Sequence, residues 1–496
     1  MFEKAERPLS PRVLVVGGGL SGLAAAYRLL ELSRGGHFPL ELFLAEAGER
    51  LGGVIGTSER DGFLLESGPD CFMTDKPWAL NLCERLGLEG QLVATSPEAK
   101  RSFVIRRGRL IPVPEGFYLL APSRIWPFVT TSLFSPFGKL RMALEWFVPR
   151  KKSFRDESVA SFVRRRFGAE ALSRMAQPLI GSIYATDLEV LSLQAALPRF
   201  LEMEREYGSV IRAIRSNART HSKKEDPSGP RYGLFLSFQK GMQTLTDRLA
   251  DSLPRGTVFL NTPVVRLAPE AGGGWSVAMA DQRVVHADAL CLAVPAFGAA
   301  KLLRETDANL AAILETIPYA SSTSVHLTYQ RSDILHPLDG SGFVVPETEH
   351  LPIVGCSFSS IKFPGRSPGK KALLRVFLAA DEEPAPESFA DEEFCRRIRP
   401  TLEALLGIKA SPLFVDVMCW PQSLPQYHVG HLEKMREVEK ALGLYPGLAL
   451  AGNAYAGVGV PDCVHSGEEA AERLFETLQA RTKDQTGVLT RESCSR

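Results

Sequence analysis

Residues 12–16, RVLVV, form a short buried-strand pattern, four apolar residues after Arg12. GGGLSG follows, and then Leu23, Tyr27 and Leu30 recur at helical spacing. A second run, LELFLAE (40–46), ends on Glu46, so the opening predicts a βαβ unit, with LGG (51–53) and SGP (67–69) marking loops. This α/β character spans 10–98 and returns over 234–305. The second stretch holds a helical pattern in MQTLTDRLADSL, strand-like TVFLNTPVVRL and WSVAMA, and a buried strand in ADALCLAVP. It returns once more over 412–480, where PGLALAG leads into a further helix. The intervening stretches differ: 99–233 predicts helices rich in aromatic residues and arginine, and 306–411 predicts a sheet from segments such as STSVHLTYQ and SGFVVP. The polar SNARTHSKKEDPSGPRY reads as a loop, the acidic DEEPAPESFADEE as a linker and 481–496 as a frayed tail. The expected architecture is α/β: a Rossmann-like domain interrupted by an inserted α+β domain.

Composition narrows the partners. At 496 residues and 45% apolar, the chain builds more than one core. Its 58 lysines and arginines nearly cancel 57 aspartates and glutamates, so no global field draws in nucleic acid. Eight scattered cysteines without a C-x-x-C pair argue against a disulfide framework or structural zinc. His428 and His431 lack the carboxylate or cysteine partners of a metal site, so no metal is expected. The opening MFEKAERPLSP lacks a signal peptide's apolar stretch, and no apolar run reaches the roughly 18 residues of a membrane span. A cytoplasmic protein is the expectation.

Gly17-Gly18-Gly19-Leu20-Ser21-Gly22 follows a strand and opens a helix, and Glu46 closes the next strand. Gly17 permits a tight turn, Gly19 lets the backbone approach a pyrophosphate, Gly22 permits close helix packing, and the helix N-terminus attracts phosphate charge. Glu46 suits a ribose diol and disfavours a 2′-phosphate, which argues against NADP. NAD and FAD both remain open on these residues.

The following EAGERLGG (46–53) resembles the fingerprint of the flavin-containing amine oxidase superfamily. The stretches LESGPD (65–70), SFVIRRGRLIPVP, SLQAALPRFLEMEREYGSVIRAI, FQKGMQTLTDRL, NTPVVRL, WPQSLPQYHVGH (420–431) and GNAYAGVGVPDC (452–463) occur in order. Together they resemble the oxygen-dependent porphyrinogen oxidases of haem biosynthesis, a family of coproporphyrinogen III and protoporphyrinogen oxidases. The likeness reaches about residue 478. It implies an FAD-binding domain of amine oxidase type, one FAD per chain, and successive hydride transfers to flavin N5 with O₂ as final acceptor and hydrogen peroxide released. It carries Gly17 to Gly22, Glu46, Ala47, Arg50, Gly52 and Gly53 along the cofactor. Gly68, Pro69 and Asp70 fall beside the flavin, Val264 at the adenine and Trp420 near the ring. LPQYHVGH contains no cysteine to attach the flavin, so binding is expected to be noncovalent.

For the substrate, the resemblance places Lys76, Arg101, Gly181, Ser182, Phe343 and Val344 at the porphyrinogen. Lys76 matches coproporphyrinogen-type enzymes and Arg101 protoporphyrinogen-type ones, so the substrate stays open between the two, with chain-wide likeness favouring coproporphyrinogen III. Where the family reads S-G-I-Y-A-G-D, this chain reads G-S-I-Y-A-T-D, with Ser182 and Thr186 replacing glycines. FYLLAPSRIWPFVTTSLF (117–134) suits a core or lid, or contact with the inner face of a membrane, and a homodimer is compatible with the family. Another amine oxidase or desaturase, and a non-catalytic protein resembling Rab GDP-dissociation inhibitors, are the rival readings. Finally, the turn at Val458-Gly459-Val460 is expected to aim free helix N–H groups at the flavin edge where charge accumulates on reduction.

Overall fold

The computed structural model describes residues 10–99, 101–118, 120–153, 155–221, 235–271, 273–379 and 391–493. Its first layer is a five-stranded parallel sheet in the order Val258–Phe259, Glu41–Ala45, Arg12–Val16, Ala289–Leu292, Leu448–Leu450. After Arg12 the central strand is apolar and buried because both faces are covered, as parallel strands require. Helix Leu20–Gly35 packs on one face with the C-terminal helix Val460–Ser493. The sheet takes strands from three separate stretches of chain, with the other elements emerging between them.

The largest of those elements is a seven-stranded sheet in the order Val415–Pro425, Tyr319–Gln330, Lys371–Leu378, Ile353–Ser357, Gly342–Val344, Ser102–Arg106, Arg109–Pro112. Its pairing is antiparallel except for Gly342–Val344 against Ser102–Arg106. Alternation gives it two unlike faces. Phe103, Ile105, Val325, Leu327, Leu374 and Val376 point to an apolar core shared with Ile398, Leu402 and Leu406 of helix Asp391–Leu406. Their neighbours Ser324, His326, Thr328 and Arg375 are buried on the opposite side.

A helical cluster completes the molecule, built from Ile125–Thr130, Pro136–Ala143, Val159–Arg166, Pro198–Tyr207 and Val210–His221 around a third core. Within it, Leu172–Gly181 is wound as a π-helix. Fully buried Arg166 braces the cluster by pairing with Glu145 and Glu204, and Glu145 also accepts from the backbone amides of Val210 and Ile211.

Several expectations change. Residues 102–112 lie in the region expected to be helical but form two strands, because Phe103 and Ile105 alternate into the sheet core while the arginines around them obscure the period. Val415–Pro425 falls in the stretch read with the third α/β segment, yet it is hydrogen-bonded along Tyr319–Gln330. Its two prolines and weak alternation hid the strand. Of the polar stretch read as a loop, 216–221 continue a helix and 222–232 lie outside the described residues. The acidic linker lies outside them except for 391–393, which open a helix. The tail read as frayed is helical to Ser493.

Candidate functional site

Three chain segments meet at the C-terminal edge of the parallel sheet. In the first, Gly17 turns out of its strand with φ +105°, and a Cβ there would stand 2.4 Å from the Ala293 carbonyl oxygen. A Cβ on Gly22 would stand 1.9 Å from the Gly17 carbonyl oxygen, so both positions admit only glycine. Gly19 differs: a Cβ there meets nothing within 4 Å. Gly19 is also the N-cap of helix Leu20–Gly35, with no side chain bonded to the helix end. Leu20 and Ser21 are buried, which leaves backbone amides to face this space.

Glu46 stands at the rim, where its Oε2 accepts from the Gly18 amide (2.6 Å) and its Oε1 from the Gly48 amide (2.7 Å), beside exposed Ala47. An uncapped helix end beside open space, with a carboxylate at the rim, fits a phosphate followed by a ribose. The Arg50 guanidinium donates to the carbonyls of Leu51 (3.1 Å), Gly53 (2.6 Å) and Ile55 (2.9 Å), holding its own loop. Gly52 donates to the Gly18 carbonyl at 2.8 Å, which lays that loop along the glycine turn. Thr262 donates to the Glu46 carbonyl at 2.8 Å, bringing up the strand that begins at Val264.

The second segment is the loop 66–71, held by side chains remote in sequence. The Trp420 indole donates to the Ser67 carbonyl at 2.7 Å, and Arg375 donates to the Gly68 carbonyl at 2.6 Å. Ser237 donates to the Asp70 carbonyl at 2.7 Å, and Lys362 reaches both carboxylate oxygens of Asp70 at 2.8 and 2.9 Å. Burial alone would raise the Asp70 pKa, but Lys362 and Arg375 outweigh it and hold the carboxyl down at about 2. Burial, reinforced by Asp70, pushes the neighbouring Cys71 thiol up to about 12. Pro69 is half-buried between these anchors.

The third segment is the closing turn. The Tyr427 hydroxyl donates to the Asn453 carbonyl and accepts from the Gly457 amide (2.8 Å). Gly457 has φ +148°, and a Cβ on it would stand 2.3 Å from Asp462 Cγ. Two amides of the turn, those of Gly457 and Gly459, are already engaged by side chains. Asp462 folds back so that Oδ2 accepts from the Gly459 amide (3.3 Å), and Lys76 pairs with Oδ1 at 2.6 Å. Val458 packs against the helical core and Val460 is buried.

The expected substrate residues are engaged by the chain in different ways. Lys76 is committed to Asp462, while Arg101 pairs with Asp339 at 2.9 Å and keeps 63% of its side chain exposed. Phe343 is 3% exposed and faces the apolar core of the seven-stranded sheet, so alternation turns it away from the face on which Val344 meets the helical cluster. Gly181 ends the π-helix, and a Cβ there would stand 2.7 Å from Gln177 Nε2. Ser182 is exposed with helical φ −68° and donates to the Leu179 carbonyl at 3.1 Å, so its backbone does not demand the glycine it replaces. His431, weighed as a metal ligand, stacks on Tyr427 at 4.2 Å. Arg375, Lys362, Ser237, Tyr427 and Asp462 were not foreseen. Of these, only Asp462 carried a local signal, an acid three residues beyond a helix-capping glycine.

The open glycine turn, its rim carboxylate and the anchored 66–71 loop define a flavoprotein architecture. The model of the flavin-containing amine oxidoreductase family matches residues 20–475, and the chain belongs to this family. It is 34% identical to a coproporphyrinogen III oxidase of Propionibacterium freudenreichii subsp. freudenreichii, covering 95% of this chain and 92% of that protein. It is 32% identical to the coproporphyrinogen III oxidase of Bacillus subtilis (strain 168), covering 94% and 98%. Among solved structures, an Exiguobacterium sp. 255-15 protein assigned as a protoporphyrinogen oxidase superposes with TM-score 0.81 at 30% identity, covering 94% of this chain and 99% of that one. No helix of the described residues is long and apolar enough to cross a membrane.

Proposed function

We propose that this flavin-dependent oxidoreductase converts coproporphyrinogen III to coproporphyrin III in haem biosynthesis, with O₂ as final acceptor and hydrogen peroxide as by-product. The observation that carries the substrate is likeness over nearly the whole chain to two coproporphyrinogen III oxidases. Protoporphyrinogen IX is the second reading, favoured by the name of the Exiguobacterium protein.

When bound, FAD supplies a two-electron acceptor. The chain's part is to hold and orient. Gly17 to Gly22 would receive the pyrophosphate and Glu46 the ribose, while Arg50 keeps its loop against the turn. Trp420 and Arg375 fix the carbonyls of Ser67 and Gly68, so the floor beside the ring is set before substrate arrives. The pyrrole N–H groups can lose protons to water, and no side chain need serve as base. Without a cysteine in 424–431, the cofactor would be noncovalent and one per chain. The parallel sheet forms the cofactor-holding unit in this reading, and the seven-stranded sheet with the helical cluster forms the substrate unit.

We further propose peripheral contact with an anionic membrane surface. Trp126 (78% exposed), Phe137 (85%), Leu140, Leu144 and Phe147 stand out from the helical cluster. Residues 117–155 carry seven lysines and arginines against one acid, Glu145, which is buried. Co-sedimentation with phosphatidylglycerol vesicles, abolished by a Trp126→Glu/Phe137→Glu double variant, is the expected outcome.

The deciding experiment compares turnover on coproporphyrinogen III and protoporphyrinogen IX by porphyrin fluorescence. A ratio above one is expected. A ratio below one favours the second reading, and peroxide formed only with amines sinks both.

A further inference from the structure

Arg375 is 6% exposed, and its hydrogen bonds all run to neutral acceptors. Nη1 donates to the Gly68 carbonyl at 2.6 Å, while Nε and Nη2 donate to Ser324 Oγ at 3.2 and 3.1 Å. Among the described residues it forms no ion pair within 4.0 Å. The charges around it are largely used up by one another. Lys362 is committed to Asp70 at 2.8 Å, and Arg366 has Glu66 at 3.8 Å and donates to Ser237 and two carbonyls. On the adjacent strand, His326 lies opposite Arg375 with Asp416 at 3.5 Å. Burial and Arg375 hold the His326 pKa down despite Asp416, so the ring adds no positive charge. Around Arg375 the carboxylates are therefore Glu66 and Asp70, which take Arg366 and Lys362, and Asp416, which lies beside His326. Among the described residues, Arg375 is the one of these three cations with no carboxylate within 4.0 Å.

A buried cation without a counter-ion is costly, and proteins keep one where a ligand brings the missing charge. Here the cation is tied to the carbonyl of Gly68, in the loop that the proposed function sets against the flavin. Each oxidation step removes two electrons and two protons from the porphyrinogen. If one proton travels with the electron pair to the ring and the other leaves to water, the ring gains one negative charge.

We propose that Arg375 is a positioning residue that also acts electrostatically. Through Gly68 it fixes the floor beside the ring, and its charge, which no carboxylate of the described residues contacts within 4.0 Å, favours the ring's negatively charged reduced state. The inference rests on the flavin reading. Its test is the midpoint potential of the bound flavin, measured by equilibration with a reference dye on the purified holoprotein.

Arg375→Gln keeps a donor for Gly68 and Ser324 but loses the charge, and it should make reduction at least tenfold less favourable, about 30 mV for a two-electron couple. Arg375→Lys should recover most of that shift. Asp70→Asn removes a negative charge from the same cluster and should move the potential the opposite way, which carries the test if Arg375→Gln fails to fold. An unchanged potential in Arg375→Gln, or shifts of the same sign in both charge variants, overturns the inference while leaving the flavin reading intact. A wild-type protein that purifies without flavin overturns both.

Discussion

The two glycine turns of this molecule sit at the same edge of one parallel sheet and solve opposite problems. At the opening turn, backbone crowds Gly17 and Gly22 while the space above Gly19 stays open. At the closing turn, the chain fills the space itself: Asp462 occupies the region a Gly457 side chain would need, binds the Gly459 amide and is neutralised by Lys76. Each turn has a carboxylate on one of its amides, but the opening turn keeps open space beside Gly19 while the closing turn is filled by Asp462. Glycine content alone therefore does not mark an anion site. What distinguishes the two is whether the chain fills the space beside the glycines: Glu46 takes the Gly18 amide from the rim and leaves Gly19 open, whereas Asp462 fills the space at Gly457.

The contrast can be broken most decisively at the opening turn. Gly22→Ala drives a methyl into the Gly17 carbonyl and should cost more than about 3 kcal/mol, enough to abolish soluble, yellow protein. Gly19→Ala should leave the melting temperature of the flavin-free protein unchanged yet weaken flavin retention by at least tenfold. If Gly19→Ala retains flavin as tightly as wild type, the open space at Gly19 has no special role.

The loop 66–71 sharpens the comparison as an intermediate case, anchored by remote side chains rather than by its own backbone. The Asp70 pKa is depressed from 3.8 to about 2, so its contribution is fully present above pH 4 and lost as pH falls through about 2. That contribution is worth about 2 kcal/mol. Urea titrations of wild type and Asp70→Asn should differ at pH 6 and converge towards pH 2.

At the closing turn, Tyr427→Phe leaves the Gly457 amide without its acceptor and should cost about 1–2 kcal/mol, read as a lower urea midpoint at unchanged slope. Lys76→Ala should cost under about 1 kcal/mol, since the lysine side chain is 44% exposed. A larger loss there would mean that the turn depends on its cation as much as on its carboxylate.

How far the sequence could be read follows from distance along the chain. The opening turn was legible because strand, glycines, helix and Glu46 are contiguous and each leaves a local pattern. Arg375 was not, because its partner Gly68 is 307 residues away and an arginine in the strand KALLRVFL looks like an outward-facing residue. Phe343 and Val344 come as a pair from the resemblance, which does not show that alternation turns them to opposite faces of the sheet. The closing turn was recognised as a turn, but Asp462 folding back on it is a side-chain choice that spacing does not reveal.

The hold on the 66–71 loop bears on how such a site can change over evolutionary time. Trp420 and Arg375 grip main-chain oxygens, which every amino acid carries, so the grip itself places no demand on side-chain identity at 67 and 68. Glycine at 68 is required for a different reason, because a Cβ there would stand 2.2 Å from the Val54 carbonyl oxygen. The demand of the grip falls on the strands opposite. Substitutions at Arg375 should be accompanied by changes at Ser324, its other acceptor, rather than at the residues whose carbonyls it holds. Paired change across two neighbouring strands, beside a loop that keeps its course, would then be the historical trace of a floor held from behind.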